Sequence, residues 1–424
     1  MEIVDLRKED WRLNKRLEYL AKRGEILEEE YERTVKEILK KVKEEGDKAV
    51  IEFTKKFDGI TLTPETMEVP YEELEKAYNE IEPEVRKALE VAEERIRVFH
   101  EKQLENSFFK EEEGIIIGQK VMPLEKVGIY VPGGKAAYPS TVLMNAVPAS
   151  VAGVEEIIMV SPKPNKYTLA AAFIAGVNRV FRIGGAQAIA ALAYGTRTIP
   201  KVDKIVGPGN IYVALAKKLV FGTVDIDMIA GPSEILVIAD EGANPKWIAA
   251  DLLSQAEHDE LAASILLTPS EEIAREVKKE VYNLLSEIER KDIAEKSLKN
   301  FGTIFIVKDL YHACEVANYI APEHLEVMTR EPMALLPELK HAGAIFLGDY
   351  TTEPLGDYVL GPNHTLPTGR TARFFSPLGV YDFIKRSSVL YVSSQGFSRV
   401  GLYAEAIAKA EGLTAHALAI KVRK

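Results

Sequence analysis

The chain has one cysteine, Cys314. That excludes an internal disulfide framework and any metal site built from several thiolates. No apolar run approaches membrane-spanning length. Charges at Glu2, Asp5, Arg7 and Lys8 leave no room for the apolar core of a signal peptide, so the cytoplasm is the expected location. Basic blocks of a single sign are missing and the net charge is −11, which argues against a nucleic-acid or anionic-membrane surface. The Gly-x-Gly-x-x-Gly fingerprint, the phosphate-loop lysine motif, the Gly-x-Ser-x-Gly elbow and His-Glu-x-x-His are all absent. Standard dinucleotide, nucleotide, serine-hydrolase and zincin signatures therefore give no lead. Histidines number only seven, so their positions carry information.

What is present is ordinary globular material: 424 residues, 46% of them apolar and 28% charged, enough for two or three domains with ample core. Up to about residue 105 the apolar spacing is that of helices, over 11–21, 28–44, 71–81 and 83–103. From about residue 114 short β-branched runs alternate with helical segments. Strands are expected over 127–130, 156–160, 179–183, 204–206, 235–239, 264–268, 302–307 and 344–347. Such alternation means parallel α/β sheets, and there are too many strands for one small sheet. The fold class is α/β with two doubly wound, incomplete Rossmann-like parallel-sheet domains. A helical N-terminal segment precedes them and a small C-terminal tail follows. The stretch 348–379 reads as a polar loop. The last part, 389–424, holds a strand and helices but is too small to stand alone, so it should pack on another domain or subunit.

Four glycine turns follow apolar runs: Tyr130 to Gly134, Gly184 to Gln187, Gly207 to Asn210, and Gly231 to Glu234. In a parallel sheet such turns lie at the carboxyl ends of strands, where ligands bind. Glycine admits a close backbone approach, and a following helix N-terminus favours phosphate. Each turn alone reads equally as a plain strand-to-helix connection; four of them favour a nucleotide site.

Four polar constellations remain. Ser254-Gln255-Ala256-Glu257-His258-Asp259 crowds polar groups at the end of an apolar helix, with Gln255 and His258 one turn apart. Burying such groups without partners costs several kcal/mol, and a metal would satisfy several at once. Taken alone, His258 reads more simply as a helix-end histidine. Glu323-His324, after Ala321-Pro322, offers two acid–base groups at a strand start; the alternative is a capping Glu beside a surface His. Asp357, in the polar loop, is either a hard oxygen ligand or a turn-stabilising residue. Glu411 and His416 flank a junction at Gly412, and in isolation read as exposed polar residues. Cys314 lies in an amphipathic helical pattern, which makes it a buried thiol rather than a nucleophile.

In this order, and with the glycine turns, these stretches resemble the histidinol dehydrogenase family from about Lys126 to His416. The resemblance implies two successive NAD-dependent oxidations at one zinc site per subunit, from L-histidinol through L-histidinal to L-histidine. It implies Gln255, His258, Asp357 and His416 as zinc ligands and Glu323 and His324 as the acid–base pair. Tyr130, Gln187 and Asn210 match NAD-contacting positions. Ser233, Glu411 and the zinc ligands, with His324, match substrate-contacting ones. It also implies a homodimer whose tail completes the partner's site. Glu257 and Asp259 become supports for the ligands. The corresponding division is a helical arm over 1–24, a larger domain over 25–126 and 234–378, an NAD-binding domain over 127–233, and a dimerisation tail over 379–424. A relative that binds metal or substrate but has lost the dehydrogenase, or a zinc hydrolase, would share some of these features. Intact Glu323 and His324 argue against the first, and the glycine turns against the second.

Overall fold

Among the described residues, strands form two six-stranded sheets and one three-stranded sheet. The computed structural model describes residues 1–8, 10–22, 28–133 and 138–424. Gly134, in the first glycine turn, lies outside them.

The first large sheet runs in the order Glu2–Asp5, Thr303–Ile306, Ala263–Thr268, Glu234–Ala239, His324–Met328, Ala344–Leu347, all parallel. Glu234–Ala239 and Ala263–Thr268 are buried at every residue, as the centre of a sheet covered on both faces requires. One face packs under helices Pro245–Ala256, Glu271–Leu284 and Lys291–Phe301. The other packs under Leu310–Ile320 and Lys15–Ala21.

The second sheet runs Glu68–Val69, Arg179–Phe181, Glu156–Val160, Lys126–Tyr130, Lys204–Val206, Asp225–Ile226. It is parallel except for its first strand. In both sheets the five later strands follow one order, third-second-first-fourth-fifth, and an earlier segment adds a strand beside the third. This is the doubly wound half expected from the alternating pattern. The order reverses between Lys126–Tyr130 and Lys204–Val206 in one sheet, and between Glu234–Ala239 and His324–Met328 in the other.

The structure corrects four expectations. Residues 28–101, grouped above with 234–378, pack instead on the second sheet. Val35, Leu39 and Phe53 join the core around Phe181 and Leu192, and Leu74, Leu89 and Ile96 join that around Ile129 and Met144. Residues 1–24 are not only helical, since Glu2–Asp5 is an edge strand. Phe108–Glu112, Ile115–Pro123 and Ile384–Val392 form an antiparallel sheet of which only the last strand was expected, in part; most of its side chains are solvent-facing, and polar residues interrupt its apolar ones. The Gly231 turn precedes Glu234–Ala239 and so sits at that strand's amino end, not at a carboxyl end. The short connection 227–233 therefore joins the carboxyl edge of the second sheet to the amino edge of the first.

Candidate active site

The helix Leu310–Ile320 ends at Ala321, which takes the left-handed conformation with φ 51. Pro322 follows and cannot continue the helix. The chain turns straight into the strand His324–Met328, which places Glu323 and His324 at its amino end. Both are tied to the neighbouring strand. Glu323 Oε2 accepts the Glu234 N–H at 2.9 Å, and His324 Nδ1 lies 3.1 Å from the Glu234 carbonyl. A carbonyl only accepts, so Nδ1 carries the hydrogen and Nε2 is left to face the site. Nε2 lies 3.5 Å from Asp357 Oδ1 and 4.0 Å from Glu353 Oε1, while Nδ1 is 3.7 Å from Glu323 Oε2.

Asp357 was expected in an irregular loop. It lies instead on the short helix Glu353–Tyr358, one turn after Glu353, so both carboxylates share a face toward His324. Gly356 lets this helix lie against the strand Ala344–Leu347: a Cβ there would come within 2.4 Å of Phe346 Cε1. His324, Glu353 and Asp357 form the one candidate metal cluster of three ligating groups among the described residues, with ligand atoms within 4.8 Å of one another.

Burial governs the protonation of this group. It drives Glu323 up to about 7, against the pull of His324. It drives Glu353 up to about 8, again with His324 opposing. For His324, burial works downward, but Glu353, Glu323 and Asp357 prevail and hold it well above the ordinary histidine value. For Asp357, burial works upward, but its hydrogen bond and charge pairing with His324 keep it low.

The helix Pro245–Ala256, started by the Asn244 cap and Pro245, carries Gln255 in its last turn. Gln255 is fully buried, and neither its Oε1 nor its Nε2 has a hydrogen-bond partner among the described residues. Leaving such an amide unpaired costs about 1–3 kcal/mol for each orphaned atom. His258 lies just past the helix end, its N–H returning to the Gln255 carbonyl at 3.2 Å. Solvent reaches its ring, yet desolvation by the surrounding protein lowers its pKa, with Asp357 opposing and His324 assisting. His258 therefore lies within reach of the Asp357 and His324 charges, one helical turn beyond Gln255. Asp259 is spent on its own turn, accepting the Leu261 N–H at 2.8 Å.

Tyr130, Gln187 and Asn210 lie apart from this cluster in the chain, each at a carboxyl edge of the second sheet. Buried Tyr130 accepts the Gly185 N–H at 3.2 Å and so props the second glycine turn; burial pushes its hydroxyl up to about 12. Gln187 is buried on the following helix, its Nε2 unpartnered among the described residues. Asn210 caps the helix Ile211–Val220 through the Val213 N–H and is exposed. Gly207 has φ 112, and a Cβ there would meet the Tyr130 carbonyl oxygen at 2.2 Å, so no other residue fits. Its N–H is held by Asp227 at 2.8 Å and its carbonyl by Lys217 at 2.9 Å. Lys217 and Asp227 also pair with each other in the interior. The two edges approach one another: Tyr358, beside Asp357, feels Tyr138, which opens the helix after the first glycine turn.

Ser233 lies at the amino edge beside Glu234, its carbonyl bound to the Ala263 N–H at 3.0 Å. Glu411 and His416 are not brought to the cluster within one chain. Both are exposed: Glu411 closes the helix Ser394–Ala410, and His416 lies on Thr414–Lys421, which packs on it.

Comparison with known proteins gives the same family. Residues 21–424 match the model of the family described as histidinol dehydrogenase. The chain is 87% identical to the histidinol dehydrogenase of Aquifex aeolicus over 424 residues, covering all of both chains. It is 54% identical to that of Syntrophotalea carbinolica over 409 residues, covering 95% of each. The chain belongs to the histidinol dehydrogenase family. The crystal structure of histidinol dehydrogenase from Elizabethkingia anophelis superposes with a TM-score of 0.93 at 37% identity, covering 100% of this chain and 98% of that one. The histidinol dehydrogenase fold thus includes the antiparallel sheet and the tail as well as both doubly wound sheets.

The sequence reading missed Glu353. Its signal was available, as a carboxylate one helical turn before Asp357, but a polar Gly/Pro-rich stretch gave no reason to read a helix there.

Proposed function

We propose that the chain oxidises L-histidinol to L-histidine through L-histidinal, reducing two NAD+, with one zinc ion per subunit. The reading rests above all on the buried, unpaired Gln255 amide one helical turn from His258, which the charges of Asp357 and His324 reach. Gln255, His258 and Asp357 would hold the zinc, with His416 of a second copy as the fourth ligand. A borderline ion suits this mixed nitrogen and oxygen set, and the orphaned amide oxygen gains the partner it lacks. When bound, zinc would hold the substrate's imidazole and amine nitrogens and so orient the carbinol.

His324 takes the hydroxyl proton on Nε2 as hydride passes to NAD. A cation engaging the charge of Asp357 would take from His324 one of the carboxylates that keep it protonated, and so would free it to act as a base. Glu323, raised to about 7, is poised to accept a proton from the water that adds to the aldehyde in the second oxidation. Tyr130, Gln187 and Asn210 would contact NAD along the glycine turns, and Ser233 and Glu411 would contact the substrate.

A shared homodimer site is supported by the tail. Leu390, Leu402, Tyr403, Ile407, Leu418 and Val422 are exposed on the strand and helices that also carry Glu411 and His416. An apolar surface of that extent calls for a partner. No described helix is long and apolar enough to cross a membrane, and we assign the enzyme to the cytoplasm. The test is purified protein with histidinol and NAD+, before and after chelation. Two NADH per histidinol, lost on chelation and regained with zinc, is the expected result. Absence of NADH at every metal loading would overturn it.

A further inference from the structure

Asp251, Glu326 and Glu353 are all buried, within one small region of the first sheet. Three carboxyl groups taken from water need donors. Glu326 Oε1 accepts the backbone N–H of Glu353 at 2.8 Å. Asp251 Oδ1 accepts the Thr352 hydroxyl at 2.6 Å. Burial pushes the Asp251 and Glu326 carboxyls upward, and each feels the other. The contacts converge on one place, the start of the short helix Glu353–Tyr358.

That helix begins in an unusual way. Thr352 is its N-cap, but the hydroxyl makes no capping bond to the helix; it is turned to Asp251 instead. The first helical amide is taken by Glu326, from a strand distant in sequence. The two carboxyls also come from the elements that carry the rest of the site. Glu326 lies two residues beyond His324 on the same strand, and Asp251 one helical turn before Gln255 on the same helix.

We propose that Asp251 and Glu326 are positioning residues for Asp357. By clamping Thr352 and the amide of Glu353, they lock the short helix to the strand of His324 and the helix of Gln255, and so fix the Asp357 carboxylate relative to both. The proposal rests on the zinc reading above, since Asp357 is the ligand being fixed. Neither residue touches substrate.

The test uses the full-length protein and four chains: wild type, Glu326→Ala, Glu326→Gln and Thr352→Val. Zinc affinity is read by competition with a chromophoric chelator, the ligand field by the visible spectrum of the cobalt-loaded protein, folding by thermal unfolding, and turnover with histidinol. Glu326→Ala removes the clamp and should weaken zinc binding about 10–100-fold and alter the cobalt spectrum. Glu326→Gln keeps an oxygen for the Glu353 N–H and offers N–H donors to Asp251, so it should recover affinity and spectrum to within a few-fold of wild type. Thr352→Val should fall between. Wild-type affinity and spectrum in Glu326→Ala would overturn the proposal, as would a Glu326→Gln chain no better than Glu326→Ala. Should Glu326→Ala fail to fold, Thr352→Val decides: unchanged zinc affinity there overturns it. Wild-type protein that turns over histidinol without binding zinc would sink the zinc reading alone. The clamp would then be judged on kcat, which Glu326→Ala should lower about tenfold and Glu326→Gln restore.

Discussion

His324 Nε2 lies 3.5 Å from Asp357 Oδ1, and its other ring nitrogen lies 3.7 Å from Glu323. One imidazole is thus held between a carboxylate proposed to bind metal and one proposed to activate water. In the proposed reaction His324 serves the first oxidation and Glu323 the second.

His324→Ala should lower NADH formation from histidinol by about 10²–10⁴-fold. Glu323→Gln should slow the oxidation of supplied histidinal more than that of histidinol. The wild-type aldehyde step should also depend on pH. Burial holds the Glu323 carboxyl near 7, so it is neutral and unable to accept a proton below that pH. The aldehyde rate should therefore fall as pH drops through about 7, and this limb should vanish in Glu323→Gln. A limb that persists in the variant would assign it to another group.

Cys314 is buried beside Ala313 and Val316, and desolvation pushes its thiol up to about 11. Almost none is thiolate at neutral pH, so a covalent thiol route is disfavoured. Cys314→Ser should retain both oxidations, and alkylating agents should leave the native enzyme active. Selective loss of the aldehyde step would contradict this.

A site shared between subunits predicts complementation. Chains carrying His258→Ala and His416→Ala should each be inactive alone. In a mixed dimer one site collects both lesions and the other is intact. Equal co-expression should therefore restore about a quarter of wild-type activity. No recovery, with mixed dimers demonstrated by mass, would place His416 in its own chain's site or outside any site. Truncation before Gly401 should leave Gln255 and His258 intact but weaken zinc binding and abolish turnover.

Lys217 and Asp227 hold Gly207 by its carbonyl and its N–H and pair with each other out of water. Lys217→Ala would strand a buried carboxylate and should cost about 3–5 kcal/mol in denaturant unfolding. If this pair shapes the glycine turn for NAD, the KM for NAD should rise while that for histidinol stays near wild type. Equal rises in both would indicate a general loss of packing instead.

Much of the architecture and half of the candidate site were legible along the chain. Runs such as Glu156–Val160 and Glu234–Ala239 declared themselves because a strand buried on both faces needs apolar residues throughout, and that is a local property. Glu323, His324, Gln255 and His258 stood out because polar groups inside apolar segments demand partners.

Folding decided what local pattern leaves open. The apolar face of a helix such as Tyr71–Glu80 says that it will be buried, but not against which sheet; complementary packing chose the second. Glu2–Asp5 becomes a strand because an unpaired edge at Thr303–Ile306 accepts it. The site lies at the amino edge of the first sheet because the connection 227–233 crosses there from the carboxyl edge of the second. Asp357 meets His324 only because a short helix, tied down by Glu326 and Asp251, brings one turn of carboxylates over a distant strand. Hydrogen bonds between segments so far apart in sequence have no local signature, and so belong to the tertiary structure alone.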